Sequence, residues 1–225
     1  IGEDPAIRDR IEEDGAPLEE LRNRVSGEAA TPIDGERENC RVRECEMGVL
    51  VADAMLDRMK NQGVTIVIQN GGGLRASIDA GPITMGEVLT VLPFQNTVAT
   101  FELTGAGIIK ALENGASQIE EGAGRFAQVA GLRYSLDPKA EPGKRVSNVL
   151  IVQDDGSFLP IDGAAIYLVA SNDYMRGGGD GYDVFQEEAI NAYDFGPSLE
   201  DVVADYLAKN QPYEARLEGR IIIAE

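Results

Sequence analysis

A glycine-rich segment with polar ends follows a short apolar run of the chain. Val64–Ile68 is apolar and β-branched, which predicts a buried strand, and Asn70-Gly-Gly-Gly-Leu-Arg75 comes after it. Three glycines let the backbone approach a ligand closely, and their amides can donate to an anion. Asn70 offers a donor and an acceptor, and Arg75 offers a planar fork suited to phosphate or carboxylate. The alternative is that the segment is only a tight turn with a surface arginine and contacts no ligand.

A second glycine-rich segment, Ser171–Tyr182, follows another apolar run. Tyr174 could present an aromatic face, and Asp180 among glycines could accept hydrogen bonds from two sugar hydroxyls. Alone, such a segment is equally typical of a flexible surface turn. Two glycine-rich segments with polar residues, each at the end of a strand, favour a shared ligand cleft.

Phe94 follows Pro93 in a predicted loop, where a large aromatic side chain needs something to pack on. The ring either joins the core or, together with Tyr174, forms a two-sided stacking clamp on a planar ligand. Both alternatives remain open from the sequence.

Cys40 and Cys45 are the two cysteines of the chain. Because the sequence has no histidine and no second cysteine pair, they do not complete a zinc site. A disulfide, which we favour, or two buried thiols remain. A disulfide would indicate an oxidising compartment and would stiffen the segment that carries Arg41. The alternative for Arg41 is an exposed position with Glu44 as its partner.

These side chains together suit a nucleotide or a nucleoside. Arg41 and Arg75 supply positive charge, Phe94 and Tyr174 flat faces, and Asp180 a hydroxyl acceptor. The absence of histidine excludes imidazole metal sites and the usual catalytic triads of serine and cysteine enzymes. We therefore predict a binding site, with no catalytic residue and no metal ligand in this chain.

Composition limits the partners. The chain has 225 residues, with 20 Lys and Arg against 39 Asp and Glu, for a formal net charge of −19. Such a charge disfavours a nucleic-acid polymer or an anionic membrane as partner. No apolar run approaches the roughly 18 residues of a transmembrane helix. The chain begins at Ile1 without a leader, which indicates a mature product or a cut fragment.

Helices and strands are predicted from the spacing of apolar residues. Residues 1–30 are highly charged and indicate exposed helical pieces. Further helices are predicted at 47–60, 84–92, 104–121 and from Pro197-Ser198 onward. Strands are predicted at 64–68, 97–103, 131–136, 146–152, 164–170 and 221–223. This irregular alternation predicts an α+β fold with α/β-like character, in which a mixed β-sheet packs against helices.

Six short motifs occur together and in order. They are Asn70-Gly-Gly-Gly-Leu-Arg75, Gly81-Pro-Ile-Thr84, Val91-Leu-Pro-Phe94, Leu103-Thr-Gly105, Phe126-Ala-Gln-Val-Ala-Gly131 and Gly178-Gly-Asp-Gly-Tyr182. With them the chain, from about residue 36 to its end, resembles the C-terminal domain of the 5'-nucleotidase family. That family includes periplasmic UDP-sugar hydrolases and ecto-5'-nucleotidases. Each motif is weak alone, but six in register are highly specific.

The resemblance implies roles for particular residues. Two aromatic rings sandwich the base in the family, and the matching positions are Phe94 and Tyr174, where relatives often have Phe at the second. Asn70 would meet the base, and Asp180 would take the ribose hydroxyls.

The resemblance extends to further positions around the same pocket. Arg41 and Arg75 would reach ribose and phosphate, and Asn96 and Gly131 would line the pocket. The Cys40–Cys45 pair resembles a disulfide of the ecto-enzymes.

The resemblance also implies a division of labour. Residues 1–30 would be an interdomain linker helix region and residues 31–225 the substrate-binding domain. Two divalent metal ions are expected in an N-terminal metallophosphoesterase domain of the same polypeptide, and none in this chain. The whole protein would be a periplasmic or extracellular 5'-nucleotidase, UDP-sugar hydrolase or 2',3'-cyclic phosphodiesterase, and this fragment alone would be inactive.

Two other interpretations stay open at this point. The chain could be a non-catalytic nucleotide-binding or interaction module. It could also be an enzyme complete in itself, with Glu87, Asp173 or Asp180 as acid or base.

Overall fold

Helices and strands are interleaved irregularly along residues 5–153 and 155–224, the part of the chain that the computed structural model describes. The helices are α1 (Pro5–Asn23), α2 (Arg37–Cys40), α3 (Glu46–Met59), α4 (Met85–Val91), α5 (Gly105–Ala116), α6 (Asp173–Arg176), α7 (Asp183–Glu187) and α8 (Leu199–Lys209). The strands are β1 (Val25–Ala29), β2 (Ile66–Asn70), β3 (Gly81–Thr84), β4 (Val98–Thr104), β5 (Ala127–Ala130), β6 (Leu132–Leu136), β7 (Val146–Val152), β8 (Phe158–Pro160), β9 (Ile166–Asn172), β10 (Ile190–Tyr193) and β11 (Ile221–Ile223).

A mixed five-stranded sheet with the order β10-β4-β9-β2-β5 lies at the centre. β2 and β9 are neighbours and run parallel, with Val67 opposite Ala170. β4 runs antiparallel to β9, so Val98 at its start lies opposite Asn172 at the end of β9. The ends of β2 and β9 and the beginning of β4 therefore meet at one edge of the sheet.

Both faces of this sheet are covered. One core cluster joins β2 and β9 to residues of α3, α4 and α8, and includes Val67. The other includes Ile66 and Ile68, together with α5 and the four-stranded sheet β11-β6-β7-β8. Because side chains alternate along a strand, the continuous apolar run of β2 fills both clusters. These layers confirm the predicted α+β fold with mixed sheets packed against helices.

Helix starts follow the capping residues in the sequence. The Oγ1 atom of Thr84 accepts a hydrogen bond from the Glu87 amide while the Glu87 carboxylate accepts from the Thr84 amide, which is a capping box at the start of α4. Thr104 and Ser198 each cap a helix, α5 and α8, through the side-chain oxygen. Helix α5 ends at Ala116, earlier than predicted, and the chain continues in a short 3-10 turn at Ile119–Glu121.

Several strands were not predicted. β1 lies in the region expected to be helical and pairs with β3, so residues 25–29 already belong to the packed part of the chain. The division of the chain at residue 30, into an interdomain linker region and a substrate-binding domain, stays a prediction. β10 is an edge strand with all four residues exposed, so its sequence shows no alternation of apolar and polar residues.

A buried ion cluster holds the end of the chain. The Arg220 guanidinium lies 2.6 Å from the Asp53 carboxylate and 2.6 Å from that of Glu218, and its Nη1 donates to the Val129 carbonyl. Burial raises the pKa of Asp53, while Arg220 opposes that shift. Arg220 therefore fixes the approach of β11 to the central sheet.

Gly131 connects β5 to β6 and is not among the residues that line the cavity described below. It follows Ala130, which pairs with Val67, so it lies near the start of β2, away from Asn70. Its φ is +77°, and a Cβ atom there would lie 1.8 Å from the Thr65 carbonyl oxygen. The backbone geometry at position 131 therefore requires a glycine, because any Cβ atom there would collide with the Thr65 carbonyl.

We expect Gly131→Ala to lower the free energy of unfolding by about 3 kcal/mol, because it adds a backbone clash to an unfavourable φ. Urea unfolding followed by circular dichroism measures the change. Gly63→Ala is the matched control, because Gly63 also has a positive φ of 88° but its nearest neighbour would be 3.7 Å away. That variant should lose only about 1 kcal/mol. Equal losses in both variants would contradict the clash.

Candidate functional site

A cavity of about 550 Å³ opens at the edge where β2, β9 and β4 meet. Seven of the eight predicted site residues line it, and the remaining one is Gly131. The lining residues are Arg41, Asn70, Gly72, Gly73, Arg75, Phe94, Asn96, Gly124, Tyr174 and Asp180. Residues from five separate parts of the sequence are therefore brought together in one place.

The topology explains this convergence. Asn70 ends β2 and Tyr174 stands just after the end of β9, and these strands are parallel neighbours. Phe94 and Asn96 lie in the loop that leads into β4, whose start pairs with the end of β9. Ligand sites commonly form outside the carboxyl ends of parallel strands, and this cavity has that position.

A network of buried side-chain amides surrounds Asn70, which lines the cavity. The Nδ2 atom of Asn172 donates to the side-chain oxygens of Gln69 and Asn70, each at 2.9 Å. Asn70 in turn donates from Nδ2 to the Asp180 carboxylate at 2.7 Å. The residues Gln69, Asn70 and Asn172 are all buried, so unpaired amides there would be costly, and the network keeps them hydrogen-bonded.

This network limits what Asn70 can offer a ligand. Its Oδ1 already accepts from Asn172 and, at 3.3 Å, from Gln69. One of its two Nδ2 hydrogens is used on Asp180. The single remaining N–H can still donate, so Asn70 serves mainly to hold Asp180 rather than to offer both a donor and an acceptor.

Asp180 is held in a fixed conformation. Its φ is +55°, a region that few residues other than glycine adopt. Its carboxylate accepts from Asn70 and, at 3.0 Å, from the Tyr174 hydroxyl, which itself accepts from the Asp180 amide at 3.2 Å. The Asn114 side chain donates to the Asp180 carbonyl. The carboxylate is thus oriented before any ligand binds, with further lone pairs still available.

The two predicted aromatic residues are on the surface and not in the core. Phe94 is 55% exposed and Tyr174 is 50% exposed, and both line the cavity. The Tyr174 ring packs over Gly179, where a Cβ atom would come within 2.5 Å of the ring. Burial, followed by the hydrogen bond to Asp180, raises the pKa of the Tyr174 hydroxyl, so it remains a donor at neutral pH. The Tyr174 ring is therefore held in place while half of its surface stays exposed.

Arginines supply the positive charge of the cavity. Arg41 is only 7% exposed, and its Nε is buried without a partner among the described residues. Its Nη1 makes one long contact, 3.4 Å, with the Gly122 carbonyl. Burial, followed by the charges of Arg37 and Arg75, lowers the pKa of Arg41. An anion between these side chains would relieve both the repulsion and the unpaired N–H.

Arg75 follows the glycine turn in the sequence and is exposed. Its guanidinium carbon lies 5.7 Å from the centroid of the Phe94 ring, a cation–π distance. Its Nη1 also reaches the Gly72 carbonyl at 3.5 Å. Arg75 therefore contacts both the Phe94 ring and the glycine turn.

Gly124 is a lining residue that sequence reasoning missed. Its carbonyl accepts from the Gly72 amide at 2.7 Å, and a Cβ atom on Gly72 would lie 2.8 Å from the Gly124 Cα. Two glycine backbones therefore touch beside Asp180. The signal in the sequence was the Gly122-Ala-Gly124 spacing, which lies outside the two segments that we singled out.

The carboxylates considered as acid or base have structural partners. Asp173 accepts from the Asn96 side chain at 2.7 Å and from the Thr97 amide, and so fixes the loop that carries Phe94. Glu87 is engaged in the capping box of α4. These contacts explain both residues without a catalytic role.

A disulfide joins Cys40 and Cys45, so neither cysteine is free. Among the side chains that the structure describes, no group of three His, Cys, Asp or Glu is placed to hold a metal ion. Within the same part of the chain, no helix combines the length and the apolar character needed to cross a membrane.

Known proteins resemble this chain over nearly its full length. The family model of the 5'-nucleotidase C-terminal domain matches residues 25–187. The trifunctional nucleotide phosphoesterase protein YfkN of Bacillus subtilis is 40% identical over 97% of this chain, and human 5'-nucleotidase is 32% identical over 98%. The crystal structure of a 5'-nucleotidase precursor from Thermus thermophilus superposes with a TM-score of 0.90 and 42% identity over 96% of this chain.

The chain spans only part of these relatives. It covers 15% of the Bacillus protein, 41% of the human protein and 42% of the Thermus chain. The remaining length of those proteins, and with it their catalytic domain, has no counterpart in these 225 residues. The match over residues 25–187 and the shared fold establish that the chain belongs to the 5'-nucleotidase C-terminal domain family.

Proposed function

We propose that this domain recognises the nucleoside part of a nucleotide for a secreted or periplasmic phosphohydrolase of the 5'-nucleotidase type. The supporting observation is that two exposed rings, a fixed carboxylate and two arginines line one cavity. A nucleotide carries the complementary groups, namely a flat base, sugar hydroxyls and a phosphate.

Each part of the ligand has a matching partner. The base would stack between Phe94 and Tyr174, because both rings are exposed beside the glycine turn. The ribose hydroxyls would donate to Asp180, whose carboxylate is already oriented. The phosphate side would face Arg41 and Arg75. Asp180 is the one carboxylate that shares the cavity lining with these arginines.

The chemistry would be carried out elsewhere in the whole protein. Phosphate-ester hydrolysis requires groups that the described residues do not bring together, including any cluster suited to a metal ion. Divalent metal ions, two by family resemblance, would belong to an N-terminal metallophosphoesterase domain of the same polypeptide. This domain would contribute by binding and orienting the substrate. The disulfide supports a periplasmic or extracellular location.

The stacking clamp predicts that Phe94→Ala and Tyr174→Ala each weaken adenosine binding by about 1–3 kcal/mol, since each removes one stacking face. Isothermal titration calorimetry of the 225-residue chain measures the dissociation constants. Phe195→Ala is the control, because Phe195 is an exposed ring, 82% accessible, outside the cavity lining. Unchanged affinity in both cavity variants would refute the clamp.

The sugar contact predicts a different pattern for Asp180→Asn. Adenosine affinity should fall about tenfold or more, because charge-assisted hydrogen bonds to the hydroxyls are lost. The affinity for 2',3'-dideoxyadenosine, which lacks both hydroxyls, should change much less. Asp183→Asn, at an exposed carboxylate outside the lining, is the control. Parallel losses for both nucleosides would argue against a sugar contact at Asp180.

A further inference from the structure

Gln128 is a buried polar residue in the middle of β5, inside the Phe126–Gly131 motif, and the proposed ligand contacts do not use it. It is 1% exposed and lies opposite Gln69 of β2. Its side chain contacts another part of the chain, the loop closed by the Cys40–Cys45 disulfide. A buried side-chain amide needs hydrogen-bond partners, and the disulfide loop supplies them.

Three hydrogen bonds join the Gln128 amide to the disulfide loop. Nε2 donates to the carbonyl of Cys40 at 3.0 Å and to the carbonyl of Arg43 at 2.7 Å. Oε1 accepts from the Cys45 amide at 3.2 Å. One side chain therefore holds both ends and the middle of the loop, and its two N–H groups are both in use.

The same loop carries Arg41 to the cavity. The Cys40 carbonyl lies so close to the glycine turn that a Cβ atom on Gly71 would be 2.2 Å from its oxygen. Arg41 itself has only the long contact with the Gly122 carbonyl, and its Nε is unpaired among the described residues. Since the guanidinium is weakly held by its own contacts, the position of the loop backbone determines where it lies.

We propose that Gln128 is a positioning residue for Arg41, and that it sets how strongly the cavity prefers a phosphorylated nucleoside over the free nucleoside. This inference rests on the proposed function, because it assumes that Arg41 faces the phosphate side of a nucleotide. Gln128 contacts no ligand itself. It acts by fixing the loop so that Arg41 meets an anion without further rearrangement.

The test compares AMP with adenosine on the 225-residue chain by titration calorimetry. Gln128→Glu keeps the size of the side chain but replaces both N–H donors with an oxygen that faces two carbonyls. We expect the preference for AMP over adenosine to fall at least about fivefold, as a charge-assisted contact is weakened. Adenosine affinity itself should stay within about twofold.

Two further variants establish the route of the effect. Arg41→Ala should remove the same preference, and the double variant Arg41→Ala/Gln128→Glu should lose no more than Arg41→Ala alone. Tyr134→Phe is the matched control, because it removes a buried hydrogen bond to the Ala127 carbonyl of β5 without touching the loop. It should destabilise the fold but leave the preference unchanged. If Gln128→Glu does not fold, Gln128→Met removes the same three hydrogen bonds.

The outcomes separate the two proposals. If the wild-type chain binds neither AMP nor adenosine, the proposed function is overturned, and this inference with it. If the wild type prefers AMP and Arg41→Ala abolishes that preference while Gln128→Glu keeps it, the positioning role alone is overturned. Additive losses in the double variant would also overturn it, because they would show that Gln128 acts independently of Arg41.

Discussion

The parallel pairing of β2 with β9 is the constraint on which the candidate site depends. It places Asn70 and Asn172 side by side, and their amides then form the network that holds Asp180. A shift of one residue in this pairing would turn the alternate side chains to the opposite face of the sheet. Because β2 is apolar on both faces, its apolar run alone does not exclude such a shift. A shift would, however, separate the buried amides of Gln69 and Asn70 from Asn172, and unpaired buried amides are costly. The polar network thus helps to fix the strand register that creates the site.

Local electrostatics at the site differ from those of the whole chain. The net charge is −19, yet Arg41 and Arg75 both line the cavity. The glycine turn allows this arrangement, because the Cys40 carbonyl, next to Arg41, can approach Gly71 closely. An acidic surface is therefore compatible with an anion-binding cavity, provided that the arginines come from segments that the fold brings together.

The sequence indicated which residues line the cavity better than it predicted the strands. Glycines beside polar and aromatic residues are visible as patterns, and the resemblance to a family supplied their common location. Strands such as β5 and β10 were missed, since β5 has four residues and β10 is an exposed edge without alternation. The hydrogen bonds that occupy the Asn70 side-chain oxygen were also not predictable. Gln69 and Asn172 become its partners only in the folded sheet. Gly131 was assigned to the pocket by its motif, whereas its positive φ and the nearby Thr65 carbonyl account for it.

The Glu44 carboxylate has a consequence for how the molecule unfolds. It lies in the disulfide loop and accepts hydrogen bonds from the backbone amides of Glu218, Arg220 and Ile221. The loop and the last strand therefore share their hydrogen bonds, so neither can open without exposing a buried carboxylate. Two segments far apart in the sequence are thus joined by shared hydrogen bonds, so opening of the last strand would also release the loop that carries Arg41.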